Sequence, residues 1–124
     1  MAFRLSKRAS SFRHALRGIA LVVRTQHNAW IHLVATGGVI VAGWLLAVTR
    51  AEWAALIFAI GLVWTAEALN TAIEFLSDEV SLEKRERIGA AKDAGAGAVL
   101  LASIIAAVIG VVVFVPHLRA FVER

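Results

Sequence analysis

Trp64-Thr65-Ala66-Glu67-Ala68-Leu69-Asn70-Thr71-Ala72-Ile73-Glu74 is the stretch whose reading decides the fold. From Trp53 onward the sequence is apolar enough to cross a bilayer, yet two acids sit inside it. A carboxylate at the centre of a membrane helix costs roughly 2.5–3.5 kcal/mol on insertion scales, so a chain that keeps one has a use for it. At about 100° per residue, Glu74 and Asp78 each fall within about 20° of Glu67, with Asn70 about 60° to one side. One helix face therefore carries an acidic stripe that begins in the membrane and runs to its surface. Such a stripe marks a site.

Composition points the same way. The 124 residues are 60% hydrophobic, with a mean hydropathy of +0.76. Soluble domains sit near 45–50% apolar. The length suits a single domain over residues 1–124. With no cysteine, a disulfide framework, an iron–sulfur cluster and a thiolate metal site are all excluded. The net charge of +4 comes from basic residues beside apolar spans. That layout fits anionic lipid headgroups and argues against nucleic acid as a partner.

Three transmembrane helices are expected, over about residues 30–48, 53–76 and 94–115. Each has the roughly 20 residues needed to cross the hydrocarbon. The first lies in the gap between Arg24 and Arg50, which holds no Asp, Glu, Lys or Arg. The third is expected to stop at Pro116, the only proline. Trp30, Trp44 and Trp53 fall near span ends, as in an interfacial aromatic belt, whereas Trp64 reads as core or lipid-facing.

Residues 1–28 are different. Arg4, Lys7, Arg8, Arg13, Arg17 and Arg24 occur there without an acid, and Phe12, Leu16, Ile19 and Val23 recur at helical spacing among them. The pattern predicts an amphipathic helix lying in the membrane surface. Its apolar stretch is too short for a cleaved leader. Basic residues concentrate in this segment and in the 77–93 loop, so both are expected in the cytoplasm, with the chain a multi-pass protein of a bacterial inner membrane. The acidic stripe descends to that same face.

Glu67-Ala-Leu-Asn70-Thr-Ala-Ile-Glu74-Phe-Leu-Ser-Asp78, followed by Ala91-Lys92-Asp93-Ala-Gly-Ala-Gly-Ala-Val99, resembles the signature of the small prokaryotic diacylglycerol kinase and undecaprenol kinase family. Nearly the whole chain shares the resemblance. It implies an all-α homotrimeric bundle with active sites between neighbouring subunits. The implied enzyme transfers the γ-phosphate of ATP, with magnesium, to a lipid hydroxyl. The same likeness implies Glu67 as the base and Glu74 as a magnesium ligand. Flanking residues such as Phe12-Arg13-His14 and Asn28-Ala29-Trp30 look more like the undecaprenol kinase branch, so undecaprenol is expected ahead of diacylglycerol.

The chemistry agrees with these roles. Phosphoryl transfer needs positioning and charge neutralisation more than covalent help. Magnesium takes hard oxygen ligands, usually one or two carboxylates beside substrate phosphates. Glu74, near the interface, suits that task, and Glu67, two turns deeper, can accept a hydroxyl proton. Asn70 can orient either carboxylate. Lys92 can neutralise phosphate charge, and Asp93 can bind metal or hold Lys92. Where the resemblance calls for a second metal-binding glutamate, 41 residues before Glu67, the chain has Gln26. Gln26 lends a carbonyl oxygen to a cation but no charge. In the basic loop that follows the stripe, only Glu83 matches a nucleotide-side position.

Blander readings compete. Glu67 can serve packing alone, as an interhelical hydrogen-bonding residue. Lys92-Asp93 can be the charged boundary of the third span. Asp78, Glu79, Glu83 and Glu86, among Lys84, Arg85 and Arg87, read as a solvated helix surface. Ala91, Ala94, Gly95, Gly97 and Ala98 read as a close-packing face. His14, His27, His32 and His117 have no metal spacing and read as interfacial polar residues. A non-enzymatic membrane oligomer would suit the spans, and a catalytically weakened family member would suit Gln26. A pure packing module does not need the stripe together with Asn70 and the distant Lys92-Asp93.

Overall fold

Apolar runs with no glycine or proline strong enough to break them become four helices: α1 (Leu5–Thr25), α2 (His27–Leu45), α3 (Arg50–Val80) and α4 (Glu86–Val122). The computed structural model describes residues 5–123 apart from 82 and 84, with side chains from Ser10 onward. Arg4, Lys84 and Arg124, and the side chains of Lys7 and Arg8, lie outside the described residues. The described chain is all-helical, and α2, α3 and α4 are each long and apolar enough to cross a membrane.

The surface helix and the first span meet at Gln26, whose backbone is extended (φ −99°, ψ 121°). Thr25 contributes to the end of α1 by donating its hydroxyl to the Leu21 carbonyl at 2.9 Å. Phe12, Leu16 and Ile19 on α1 are exposed, while Val22 is buried. That leaves most of the apolar stripe of the amphipathic helix uncovered by the rest of the chain.

A tight turn over residues 46–49 reverses the chain between α2 and α3. Ala47 takes a left-handed backbone there (φ 50°), an uncommon conformation for a residue with a Cβ. Thr49 then starts α3 with a capping box. Its hydroxyl accepts from the Glu52 amide at 3.3 Å, and its own amide donates to the Glu52 carboxylate at 2.7 Å. Two orphan N–H groups are satisfied at once. Trp53 packs its indole against Gly43, where an added Cβ would stand 2.7 Å from the ring. Trp44 meets Trp53 edge-on at 6.3 Å. The small core at this end joins Val48, Leu56 and Val113.

The helix expected to end at Pro116 runs on to Val122. Proline removes one backbone hydrogen bond, but in membrane helices neighbouring groups compensate for such a loss. The residue after the proline also makes a side-chain contact across the bundle. His117 Nε2 lies 3.1 Å from both carboxylate oxygens of Glu52, tying the end of α4 to the first turn of α3. His117 is therefore a clasp between helices, where the sequence suggested an interfacial polar residue. Elsewhere α3 packs most extensively on α4. Of the small-residue face expected from the sequence, only Gly95 is buried, against the Asn70 and Ile73 side chains; Ala91, Ala94, Gly97 and Ala98 are exposed on this chain.

Candidate active site

Because α2 and α3 run antiparallel about the 46–49 turn, residues equidistant from it lie level. Three side-chain contacts obey that register. Gln26 reaches Glu74, His32 approaches Glu67, and Thr36 meets Trp64. Two of these rungs hold the acids of the stripe.

The outer rung is built on Glu74. Gln26 Nε2 donates to its Oε2 at 3.0 Å, and Asn70 Nδ2 donates to its Oε1 at 3.1 Å. Both carboxylate oxygens are thus held by amides from opposite sides. Asn70 is only 6% exposed. Its Oδ1 lies against Gly95 of α4, 2.5 Å from where a Cβ would be. The glycine leaves the room that the amide occupies, so the packing face and the polar site are one construction.

Lys92, just before the apolar run that starts at Ala94, donates to Asp78 Oδ1 at 2.8 Å. The hydrogen bond to Asp78 pushes its ammonium pKa up, and the charge of Glu74 adds to the effect. Asp78 is exposed, as expected of a solvated surface, but it also anchors Lys92 beside the outer rung. Asp93 and Glu83 stand apart. Asp93 is exposed, with no hydrogen bond or ion pair among the described residues. Glu83 is exposed in the loop between α3 and α4, 3.8 Å from Arg85 Nη2.

The inner rung lies about 10 Å deeper, at 1.5 Å per residue along α3. Glu67 is 1% exposed, and neither carboxylate oxygen has a hydrogen-bond partner among the described residues. Burying an unpaired carboxylate is costly, and native structures rarely leave such a group without a purpose. His32 Nε2 is 3.5 Å from Glu67 Oε2 and is likewise buried and unsatisfied. Trp64 packs edge-on against the imidazole at 6.2 Å and donates its indole N–H to Thr36 at 3.0 Å. So Trp64 is half-buried and steers a neighbour, within the core reading the sequence allowed.

His32 was the residue that sequence reasoning missed. Taken alone it reads as interfacial, and it carries no spacing to another ligand. The signal was the hairpin register, which sets residue 32 level with residue 67 once the turn is located. The imidazole also lines an apolar groove of about 490 Å³ between α2, α3 and α4, walled by residues such as Val39, Ile60, Val63 and Val111. Together the rungs offer a charged, amide-rich level near the surface and a dry carboxylate below it. The upper suits phosphates and a cation, the lower proton removal from a hydroxyl.

The chain was compared with known proteins. The model of the prokaryotic diacylglycerol kinase family matches residues 13–114. Undecaprenol kinase of Bacillus subtilis is 38% identical over 114 residues, covering 92% of this chain and 93% of the relative. A diacylglycerol kinase of Synechocystis is 39% identical over 109 residues, covering 87% of this chain and 62% of that protein. The diacylglycerol kinase of Escherichia coli is 43% identical over 72 residues, covering 56% and 57%.

Proposed function

The chain belongs to the prokaryotic diacylglycerol kinase family and is a membrane lipid kinase, and on that premise we propose that it transfers the γ-phosphate of ATP to the primary hydroxyl of a lipid, undecaprenol ahead of diacylglycerol. The observation that carries this reading is Glu67, buried, with neither carboxylate oxygen hydrogen-bonded among the described residues. A buried carboxylate with free acceptor sites is suited to take the proton of an arriving hydroxyl. The apolar groove lined by His32, which stands 3.5 Å from Glu67, suits hydrocarbon rather than a soluble acceptor. The similarity to undecaprenol kinase over nearly the full length of both chains supports the order of the two lipids.

The outer rung would position the nucleotide. Lys92 supplies positive charge near Glu74 for the transferring phosphate, while Asn70 and Gln26 fix the Glu74 carboxylate. Asp93 and Glu83 are the nucleotide-side residues carried by the family resemblance. The residues at Glu74 would fit magnesium once an amide turns over: Gln26 and Asn70 now present N–H groups to the carboxylate, and their carbonyls would add hard oxygens to it. Glu74 would hold that ion, with Gln26 turning its carbonyl toward it. Magnesium, when bound, would neutralise charge on the phosphates. Only one carboxylate serves, because residue 26 is neutral.

The family resemblance also supports a homotrimer, with Asp93 and Glu83 serving a neighbour's acidic stripe. Neither makes a hydrogen bond or ion pair with Glu67 or Glu74 among the described residues, which agrees with that arrangement. The basic N-terminal segment and the 77–93 loop support a cytoplasmic placement for both, which gives the outer rung access to ATP. The test is transfer of labelled phosphate from ATP by purified protein in detergent micelles, with undecaprenol and diacylglycerol side by side. Undecaprenol should be phosphorylated faster. Equal inertness of both lipids would refute the reading.

A further inference from the structure

Four buried polar atoms among the described residues have no hydrogen-bond partner: His32 Nε2, both oxygens of Glu67, and Asn70 Oδ1. Three of them belong to one pair. The imidazole nitrogen and the Glu67 carboxylate approach to 3.5 Å without forming a hydrogen bond. Leaving two such groups unsatisfied side by side is unfavourable unless a third group hydrogen-bonds to both. The imidazole lines the apolar groove between α2, α3 and α4, where water alone is a poor occupant: it needs two to four polar partners.

We propose that His32 is a further substrate-binding residue, whose Nε2–H grips the oxygen of the lipid hydroxyl while that hydroxyl donates to Glu67. The inference rests on the reading of Glu67 as the group that meets the lipid. A hydroxyl is one donor and two acceptor sites in one atom, which matches a carboxylate oxygen and a ring N–H held this far apart. An ether or a bare hydrocarbon cannot satisfy both. In transfer, the hydroxyl proton passes to Glu67 Oε2. The acceptor oxygen forms its bond to the γ-phosphorus as the bond from phosphorus to the β,γ-bridging oxygen breaks and ADP leaves. His32 keeps its hydrogen throughout, and its bond to the acceptor oxygen strengthens as negative charge collects there. The ring is pre-positioned for this role. Trp64 packs against it, and Trp64 is itself fixed by Thr36.

The experiment uses the full chain in detergent micelles with ¹⁵N-labelled histidine. The signal missing from a His32→Gln variant is that of His32. Undecaprenol should move the His32 ring resonance, whereas the same polyprenyl hydrocarbon without its hydroxyl should not. His32→Leu, similar in bulk but without a donor, should lower kcat/KM for the lipid on the order of 10²-fold, with KM for the nucleotide held. His32→Gln, which puts an N–H at comparable reach, should recover most of that loss. The proposal is overturned if the resonance responds equally to alcohol and hydrocarbon, if it responds to neither, or if His32→Leu turns over like the parent. A parent protein that shifts with the alcohol but transfers no phosphate would leave the grip standing and remove the kinase reading. Phosphate transfer without the shift would remove the grip alone.

Discussion

At the scale of single residues, Gln26 is the most consequential departure in the chain. Its amide donates to Glu74, where the family resemblance calls for a second carboxylate. An N–H facing a carboxylate steadies it but adds no charge to a cation, and to act as a ligand the amide must turn its carbonyl inward. We therefore expect Gln26→Glu to lower the magnesium concentration for half-maximal turnover. Paired magnesium titrations of the two proteins check it, and coincident curves would remove residue 26 from the metal shell. Much of this site was legible in the sequence. Glu67, Asn70, Glu74 and Gln26 were chosen from spacing and resemblance, and the fold brings the last three into one hydrogen-bonded cluster. His32 was not legible in the same way, because a lone histidine in an apolar run carries no periodic signal. Its meaning depends on what a second helix sets opposite it.

At the scale of the helices, the 3.6-residue repeat and the apolar runs located all four elements, but their ends followed local chemistry that composition does not record. α3 and α4 extend past the apolar runs because charged residues such as Asp78 and Glu86 continue a helix in water as readily as apolar ones do in lipid. Pro116 did not stop α4, and the Glu52–His117 clasp ties the turn that follows it to α3. Contact between α3 and α4 depends on a single glycine at the site. Gly95→Ala would put a Cβ 2.5 Å from Asn70 Oδ1, so the amide must leave its place on Glu74. Alanine favours helix by nearly 1 kcal/mol over glycine, so the fold should persist. We expect weakened affinity for the magnesium–nucleotide complex in Gly95→Ala and near-parental affinity in Gly97→Ala, where an added Cβ meets nothing within 4 Å. Nucleotide titrations of both variants decide it, and equal behaviour of the two would show that the Asn70–Gly95 fit is not functional.

At the scale of the whole molecule, one chain is an open bundle. Large apolar side chains such as Trp44, Val34 and Leu45 remain 74–79% exposed, as lipid or a second subunit would require. Membrane character was plain from hydropathy, whereas assembly is a property of surfaces that a linear pattern does not rank. If sites are shared, mixing Glu67→Gln protein with Asp93→Asn protein should restore part of the turnover that each lacks. Absence of rescue would mean that one chain supplies both residues to each site. The central claim is narrower: the buried acid of the inner rung removes the proton of the lipid hydroxyl, and the outer rung holds the nucleotide. Glu67→Gln keeps size and hydrogen bonding but removes the proton acceptor. Turnover and nucleotide affinity, measured on the same Glu67→Gln preparation, test that division most directly. The account predicts a fall in kcat on the order of 10²–10⁴-fold with nucleotide affinity nearly intact. A folded variant that loses nucleotide binding in step with turnover, or one that keeps parental turnover, would contradict it.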